Sequence, residues 1–534
     1  MGPPPNTLDL VFSNVPKIFH TLETEDMTGT SDHNLVNFNT EFSVKLPETS
    51  RPMSHSANAD IRAFNFPRAN KEALKEALVN KRLDMIAEQA PDPIEAKSAV
   101  VEAIVEAAKE AKVPLFQHTK QGDHSAAIRK LYKERVAILR RMRKKRLSTT
   151  ELLDRQRRLR EIQAEVAETN RAEAEEKEKT IAKEIKTNPK RFYQYANSFR
   201  KSKTKIGPLK TLAGDKKSFE SGPKKMAEIL SAQYKSVFTA PKQQHPDIQP
   251  RDILSVLDDL DIDCSALTSA LQCTPTWSAP GPDGITAFFI KTYAEEIAPA
   301  FTVIWQQSLD SGIMPDDVNL AFITPLFKGG DKSDPANYRP VALTNHTTKA
   351  FERLLKDEIV LHCTAHHFFN ATQHGFTVGR STLTNLIDYY ESLLLLLEHH
   401  QYVDAIYLDY SKAFDKCDHD IILKKLDSLG IRGNINAWIS AFLKRRQQVV
   451  VVQGVESSPV WVASGVPQGS VLGPLLFLIL MIDITGCINH SALISFADDT
   501  KILKGITSAE VEVRLQDDLE RAYVWAEQNN MSFN

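Results

Sequence analysis

The chain has 534 residues, of which 66 are Lys or Arg and 68 are Asp or Glu. Apolar residues make up 42% and charged residues 25%, so the composition is globular and excludes a wholly disordered or collagen-like chain. At about 150 residues per domain the length allows two to four domains. The cysteines lack CxxC spacing, which favours a reducing compartment over a disulfide-stapled secreted protein: Cys264, Cys273, Cys363, Cys417 and Cys487.

Neither a signal peptide nor a membrane span is predicted. The N-terminus, MGPPPNTLDLVF, has no basic region followed by a long apolar stretch. The longest apolar run, 471–482, is interrupted by Gly473 and Pro474 and is shorter than the roughly 18 residues that a spanning helix needs. We therefore expect an intracellular protein of the cytoplasm and nucleus with no membrane partner, whose oligomeric state stays open.

Composition changes along the chain predict its organisation. Residues 1–45 alternate apolar and polar positions as short strands do, and residues 46–68 have the Pro, Ser and Asn content of a linker. Residues 69–250 are predicted to form a helical, partly basic connector, because Gly is rare and residues 121–160 hold 14 Lys/Arg against 4 Asp/Glu. From 251 to 534, strand and helix patterns alternate, which makes this the candidate catalytic region.

Two basic segments of the connector leave alternatives open. RRMRKKR (140–146) suits a nuclear-localisation or phosphate-binding patch, and equally a solvated helix face. KRFYQYANSFRKSK (190–203) interleaves aromatic rings with cations, which suits RNA stacking, or an amphipathic helix that packs its rings inward.

The acidic residues of the catalytic region follow apolar strands. The pattern 403–408 ends at Asp409, and the pattern 492–497 ends at Asp498 and Asp499, after which 500–503 is again apolar. This predicts a tight hairpin with two acids at its tip. Two Mg²⁺ ions about 3.5–4 Å apart would compensate such carboxylates and support in-line phosphoryl transfer. By itself, an Asp-Asp pair suits an ordinary turn just as well.

Several motifs in consistent order resemble the reverse transcriptases of LINE-type, non-LTR, jockey-like retrotransposons. They are YLDYSKAFD (407–415), GVPQGSVLGPLLF (465–477), FADDT (496–500), ITPLFKGGDKSDPANYRPVALT (323–344), QHGFTVGRSTLTNL (373–386) and SAPGPDGIT (278–286). The resemblance implies an α+β fold in residues 251–534: right-hand fingers and an antiparallel palm sheet backed by helices, with core motifs at 320–505. It further implies an RNA-directed DNA polymerase that uses two Mg²⁺ ions, template RNA, a primer DNA 3′-end and deoxynucleoside triphosphates.

The same resemblance assigns roles to individual residues. Asp409, Asp498 and Asp499 resemble the catalytic carboxylates that hold the metal ions. Phe414 occupies the position of an aromatic ring that excludes a ribose 2′-hydroxyl and so selects deoxynucleotides.

Further motif residues resemble the nucleotide-binding set. Gln468 resembles the residue that lines the incoming nucleotide, and Gly469 permits close backbone approach. Arg339 resembles the cation that grips the triphosphate, with Lys328 as its partner and Lys332 as a neighbouring alternative; Arg suits this role because its planar fork meets phosphate oxygens bidentately.

The first 45 residues carry a second resemblance. LDLVFSN (8–14) and TSDHNLV (30–36) resemble the carboxyl end of an apurinic-type endonuclease domain, in which His33 would contact the scissile phosphate and Asp9 and Asp32 would support it. About 40 residues cannot rebuild such a core or its metal site. We expect a remnant without nuclease activity.

The position where the chain stops suggests a further expectation. After FADDT only 34 residues follow, where the family continues to a Lys-containing motif and a helical thumb. We expect the thumb to be missing, and this leaves two alternatives to synthesis. One is a truncated, catalytically weak or inactive nucleic-acid-binding fragment, and the other is a host protein that uses the fold for interaction only.

Overall fold

The protein is described by a computed structural model for residues 19–25, 35–40, 61–115, 126–144, 149–184, 195, 206–213, 216–242, 248 and 253–534 without 401. The chain divides into two compact units, Met1–Ser50 and Arg51–Asn534. In the first unit, strands β1 (Phe19–Glu25) and β2 (Leu35–Thr40) pair antiparallel. The endonuclease-like residues Asp9, Asp32 and His33 lie outside the described residues.

The first helices of the second unit are α1 (Lys71–Asn80), α2 (Leu83–Gln89), α3 (Pro93–Glu110), α4 (Ala126–Lys144) and α5 (Thr149–Glu184). Helix α3 begins where Asp92 accepts hydrogen bonds from the N–H groups of Ile94 and Glu95, with Pro93 at the first helical position. Helices α4 and α5 are joined by Arg158, which binds Glu134 at 2.9 Å. These helices agree with the helical pattern of the connector, while its proposed boundaries stay predictions.

The middle of the chain continues with β3 (Leu209–Ala213), β4 (Lys216–Glu220), α6 (Pro223–Val237), α7 (Cys264–Gln272), α8 (Ala287–Thr292), α9 (Ala294–Ser311), β5 (Leu320–Phe327), β6 (Tyr338–Leu343), α10 (His346–Ala365) and α11 (Thr382–His399). The helix ends follow local chemistry. Asp263 caps α7 through two backbone N–H groups, and Gly312 ends α9 in the left-handed conformation that glycine adopts without strain.

The last elements are β7 (Tyr402–Leu408), α12 (Ala413–Lys416), α13 (His419–Ser428), α14 (Gly433–Lys444), β8 (Gln447–Val452), β9 (Val455–Glu456), β10 (Val460–Trp461), α15 (Leu472–Leu480), β11 (Ala492–Phe496), β12 (Asp499–Ile506) and α16 (Ala509–Gln528). Short 3₁₀ turns lie at Ile61–Ala63, Phe66–Arg68, Pro335–Asn337 and Ile484–Cys487. Helices and small sheets together confirm the predicted mixed α+β class. No helix in the described ranges is both long and apolar enough to cross a bilayer.

Two sheets organise the catalytic region. The first has the order β11-β12-β7 and is antiparallel throughout, with Phe496 opposite Asp499 and Leu408 opposite Thr500. The second has the order β10-β8-β5-β6, with β5 and β8 parallel and β9 paired to β8. The predicted hairpin between 492 and 503 and the predicted strand before Asp409 are both confirmed.

The main apolar core joins distant parts of the chain. Residues from 61 to 113, including Phe66, Leu74 and Ile104, belong to the same buried cluster as Trp305, Phe351 and Trp438. Within it, Phe351 stacks on Trp305 with ring centroids 5.3 Å apart and meets Trp438 edge-on at 5.0 Å. The segment 61–113 is therefore packed into the body of the catalytic region, which its composition alone does not reveal.

A buried charge cluster ties this N-terminal segment to the turn 279–284. Lys97 on α3 binds Asp317 at 2.8 Å and lies 3.9 Å from Asp283, with Lys97 3% and Asp283 0% exposed. Arg62 donates to the carbonyl of Pro282 at 2.6 Å. Burial raises the pKa of Asp283 to about 7, and the Lys97 ammonium opposes that rise. The PGPDG turn is thus held by two positively charged side chains, Arg62 and Lys97, that lie about 200 positions earlier in the chain.

Candidate active site

The two acidic strand ends meet at one edge of the β11-β12-β7 sheet. Asp409 directly follows β7, Asp498 lies in the two-residue turn between β11 and β12, and Asp499 begins β12. The pairing of Leu408 with Thr500 puts the end of β7 beside this turn. The structure therefore brings together the three acids that the sequence singled out.

The electrostatic environment of Asp498 reflects its neighbouring acids. The pKa of Asp498 is raised mainly by burial, and the negative charges of Asp499 and Asp409 raise it further. Arg339 acts in the opposite direction and lowers it. A crowded set of carboxylates with one nearby guanidinium has the oxygen donors that hard divalent cations prefer.

The carboxylate of Asp409 also has a partner within the chain. The side-chain amide of Asn534 donates to Asp409 Oδ2 at 2.7 Å, and the Asn534 backbone N–H donates to the Asp409 carbonyl at 2.9 Å. Among the described residues, a separate group of possible metal ligands consists of His490, Asp517 and Asp518. Their ligand atoms all lie within 4.8 Å of one another. In that group Asp518 is already used, because it accepts from the backbone N–H groups of Asn489 and His490.

Phe414 lies between two other rings close to the acids. It stacks on buried Phe477 of α15 with centroids 4.5 Å apart and planes at 16°, and Phe376 meets it edge-on at 5.9 Å. Its own exposure is intermediate. The two neighbouring rings therefore restrict the orientation of the Phe414 ring, which stays partly accessible.

The loop 465–469 brings the nucleotide-binding candidates to the same place. Val466 N–H donates to the carbonyl of Phe414 at 2.8 Å, and the Gln468 carbonyl accepts from Ala342 N–H on β6 at 2.7 Å. Gly469 has φ +125°, and a Cβ there would lie 2.3 Å from the Ala342 carbonyl oxygen. Glycine is thus required at 469 by both backbone conformation and close approach.

Helix α15, which follows this loop, is anchored by a buried acid. Glu352 on α10 accepts from the N–H groups of Val471 and Leu472 at 2.7 and 2.9 Å. Burial raises the pKa of Glu352 to about 7, while these two hydrogen bonds, Lys349 and Arg446 lower it. A carboxyl group at the N-terminus of α15 satisfies amides that the helix itself leaves free.

The two predicted cations differ in their placement. Arg339 lies exposed on β6 opposite Leu326, and its charge lowers the pKa of both Asp498 and Asp415. Lys328 follows β5 and is exposed; among the contacts of the described residues, its backbone N–H donates to the Asn337 carbonyl, and none joins its side chain to the acids. Arg339 thus acts electrostatically on Asp498 and Asp415, whereas no such effect joins Lys328 to the acids among the described residues.

Two residues of the site carry no role in the sequence-based interpretation. Asp415 is largely buried and accepts a hydrogen bond from Gln468, and Gln373 binds the backbone of Ala497, the residue before Asp498. Both stand inside motifs that the sequence displays, SKAFD and QHGF. Their hydrogen-bond partners are 53 and 124 positions away in the chain. In the sequence, only their position within a motif could have indicated that they belong to the site.

The part of the chain that contains the three acids is similar in sequence to known proteins. A family model described as reverse transcriptase (RNA-dependent DNA polymerase) matches residues 330–534, which include the three acids, Phe414 and Gln468. The match spans 205 of the 534 residues. The acidic sheet edge therefore lies inside a region similar to a family of polymerases, which the Asp-Asp turn alone could not show.

Curated proteins of transposable elements match about half of this chain. The chain is 30% identical over 265 residues to the RNA-directed DNA polymerase from mobile element jockey of Drosophila funebris, which is 48% of this chain and 29% of that protein. It is 27% identical over 269 residues to the probable RNA-directed DNA polymerase from transposon BS of Drosophila melanogaster, covering 48% and 30%. The X-element protein of the same fly is 28% identical over 262 residues, covering 48% and 29%. The chain thus matches less than a third of the length of these relatives, which are proteins of transposons and mobile elements.

Proposed function

We propose that the protein is an RNA-directed DNA polymerase of a non-LTR retrotransposon. The observation that carries this proposal is the meeting of Asp409, Asp498 and Asp499 at one sheet edge within the region that is similar to reverse transcriptases. Template RNA, a primer DNA 3′-end and deoxynucleoside triphosphates are the partners that such chemistry requires.

The acidic edge fits divalent metal ions. Asp409, Asp498 and Asp499 supply only carboxylate oxygens. Burial raises the pKa of Asp498 and the charges of the other two acids add to this rise, so a bound cation would relieve the crowding. We propose that these three side chains hold two Mg²⁺ ions. Bound there, Mg²⁺ supplies activation of the primer hydroxyl and neutralisation of the departing pyrophosphate.

The remaining side chains bind and select the nucleotide. Arg339, already close enough to affect Asp498 and Asp415, would bind triphosphate oxygens through its planar guanidinium. Phe414, held between Phe376 and Phe477, would exclude a 2′-hydroxyl by its rigid position. Gln468 would line the incoming nucleotide, and Lys328 would assist on the triphosphate from outside the acid cluster.

The architecture suits the right-hand arrangement of polymerases. We propose that the β11-β12-β7 sheet, with α11 packed on it, is the palm, and that β5 and β6 with α10 belong to the fingers. Arg339 on β6 then reaches towards the palm acids from the fingers side. The basic connector helix α4 suits contact with nucleic-acid phosphates.

A primer-extension assay tests the proposed function. The 534-residue chain is given a heteropolymeric RNA template, an annealed DNA primer, Mg²⁺ and the four deoxynucleotides, and the products are sequenced. We expect products complementary to the template, lost when EDTA is added. Binding of the primer–template without any extension would contradict synthesis and support the nucleic-acid-binding alternative. Untemplated products would contradict RNA-directed copying.

A further inference from the structure

The turn that carries Asp498 has an unusual backbone. Ala497 has φ +54°, in the left-handed region that non-glycine residues seldom adopt. Ala497 is 5% exposed, so its N–H and carbonyl cannot rely on water and need partners inside the protein. Because Ala497 directly precedes Asp498, its conformation sets the direction in which the Asp498 carboxylate leaves the turn.

One side chain satisfies both polar groups of this residue. Gln373 Oε1 accepts from the Ala497 N–H at 2.8 Å, and Gln373 Nε2 donates to the Ala497 carbonyl at 3.1 Å. The same Oε1 also accepts from the Gly375 N–H at 2.8 Å, which fixes the carboxamide in place. The carboxamide thus gives Ala497 the two backbone hydrogen bonds that a neighbouring strand would otherwise supply.

The backbone around Gln373 continues the same pairing. Ser495 N–H donates to the Thr372 carbonyl and His374 N–H donates to the Ser495 carbonyl, both at 2.9 Å, forming a parallel bridge beside β11. The bridge stops at Ser495, and the Gln373 side chain extends it by two residues to Ala497. This is the position at which the strand ends and the acidic turn begins.

Close approach of the two segments requires a glycine. A Cβ on Gly375 would lie 2.2 Å from the Ala497 nitrogen and 2.9 Å from its Cα, which are backbone atoms that cannot give way cheaply. The motif QHGF therefore supplies both the carboxamide and the space for it.

We propose that Gln373 is a positioning residue of the polymerase reaction: by holding Ala497 in its left-handed conformation, it aims Asp498 at the metal-binding edge shared with Asp409. The inference rests on the proposed function. The Gln373 carboxamide binds the backbone of Ala497 and Gly375, so its proposed effect on the reaction passes through Asp498. A displacement of about 1 Å at a reacting centre can cost about 100-fold in rate.

Gln373→Ala removes the carboxamide, and Gln516→Ala is its control, because Gln516 lies on α16 and binds only Glu520 there at 3.2 Å. We expect Gln373→Ala to lower the extension rate about 10- to 100-fold and to raise the Mg²⁺ concentration for half-maximal rate. Primer–template affinity should stay near the parent value, and the melting temperature should fall by only a few degrees, since two buried polar groups of Ala497 lose their partner. Gln516→Ala should match the parent throughout.

Two further variants separate positioning from general stability. Gly375→Ala keeps the carboxamide but pushes the segment from Ala497, so it should raise the Mg²⁺ requirement as Gln373→Ala does. Gln373→Glu keeps the acceptor for both N–H groups and loses only the donor, so the Ala497 amide should stay protected from hydrogen exchange. A purely structural role would lower the melting temperature and leave the Mg²⁺ dependence unchanged, which would overturn the proposal.

Hydrogen exchange resolved to the Ala497 amide gives a readout that needs no activity. Gln373→Ala should accelerate its exchange at least 10-fold, while Gln516→Ala should not. If the parent chain extends primers and Gln373→Ala is equally active at limiting Mg²⁺, the inference fails and the proposed function stands. If the parent itself fails to extend, the proposed function fails. In that case, if the Ala497 amide of Gln373→Ala exchanges at the parental rate, the contact between Gln373 and Ala497 is contradicted as well. If it exchanges faster, Gln373 does stabilise the turn.

Discussion

Gln468 donates a hydrogen bond from its side-chain amide to Asp415 Oδ1 at 2.9 Å, and so links the 465–469 loop to the residue that follows Phe414. The Asp415 carbonyl meanwhile accepts from the Ser464 hydroxyl at 2.8 Å. The proposed nucleotide-lining side chain is therefore held by the acid that directly follows the proposed sugar-selecting residue. The relationship connects two motifs that the sequence presents as separate.

Removing either principal acid should stop synthesis without stopping binding. Asp409→Ala and Asp498→Ala should each lower nucleotide addition by several orders of magnitude, because the two carboxylates are the proposed metal ligands. Primer–template affinity should change little, since phosphate contacts elsewhere supply most of it. Asp517→Ala, from the other His/Asp group, is the matched control and should retain parental rates. Comparable extension by Asp409→Ala and the parent would refute the assignment of the metal site.

Phe414 is expected to control sugar selection. Phe414→Val opens space beside its stacking partner Phe477, so ribonucleotides should be incorporated more efficiently relative to deoxynucleotides. The measurement is the ratio of the two incorporation efficiencies on one template. Phe219→Ala, which changes a 59% exposed ring on β4, is the control. An unchanged ratio in Phe414→Val would return Phe414 to a packing role.

Asp415 should make folding depend on pH. Burial raises its pKa to about 6, against the opposing effects of Lys412, Gln468 and Arg339. Below about pH 4 the carboxyl group is protonated in both the folded and the unfolded state, so it costs no stability; as pH rises from about 4 to 6 the unfolded state ionises first, and the folded state loses up to about 3 kcal/mol. Asp415→Asn stays neutral and keeps an acceptor for Gln468.

Asp415→Asn should therefore raise the melting temperature at pH 7.5 and match the parent near pH 4. Thermal unfolding at the two pH values measures the difference. Asp404→Asn, at an exposed position on β7, is the control and should show no such trend. A stabilisation by Asp415→Asn that is equal at both pH values would contradict the raised pKa.

Gly469 should tolerate no side chain. Gly469→Ala places a Cβ 2.3 Å from the Ala342 carbonyl at a φ of +125°, so the loop must move away from β6. We expect primer extension to fall at least 10-fold and the Michaelis constant for deoxynucleotides to rise. Gly486→Ala, where a Cβ meets open space, is the control. Parental kinetics in Gly469→Ala would show that the close approach is not needed.

Lys97 should stabilise the packing of the segment 61–113 against the catalytic region. Lys97→Met leaves Asp283 and Asp317 without their cation, and breaking a buried ion pair in this way costs about 3–5 kcal/mol. The expected result is a lower melting temperature, partly restored at acid pH because Asp283 then becomes neutral. Lys109→Met changes an exposed residue of the same helix and should be nearly neutral. Equal melting temperatures for the two variants would contradict the proposed charge cluster.

Local patterns in the sequence were sufficient to predict the strands of the site and the acids that follow them. Strands before Asp409 and Asp498 follow from apolar runs, and the hairpin follows from the short interval between two such runs, because these features depend on neighbours in the chain. The motifs also predicted the similarity to reverse transcriptases that the family model finds in residues 330–534, because several separate motifs occur in one consistent order.

The tertiary structure decided which distant residues support these motifs. Sequence could not pair Gln373 with Ala497, Gln468 with Asp415, or Lys97 with Asp283 and Asp317, because each contact joins residues from 53 to 220 positions apart. Nor could it show that residues 61–113 share the main core, since an amphipathic helix pattern states which face is apolar and not which surface covers it. The sequence therefore predicted three acids at neighbouring strand ends, whereas the long-range contacts to the turn that carries Asp498 exist only once the chain has folded.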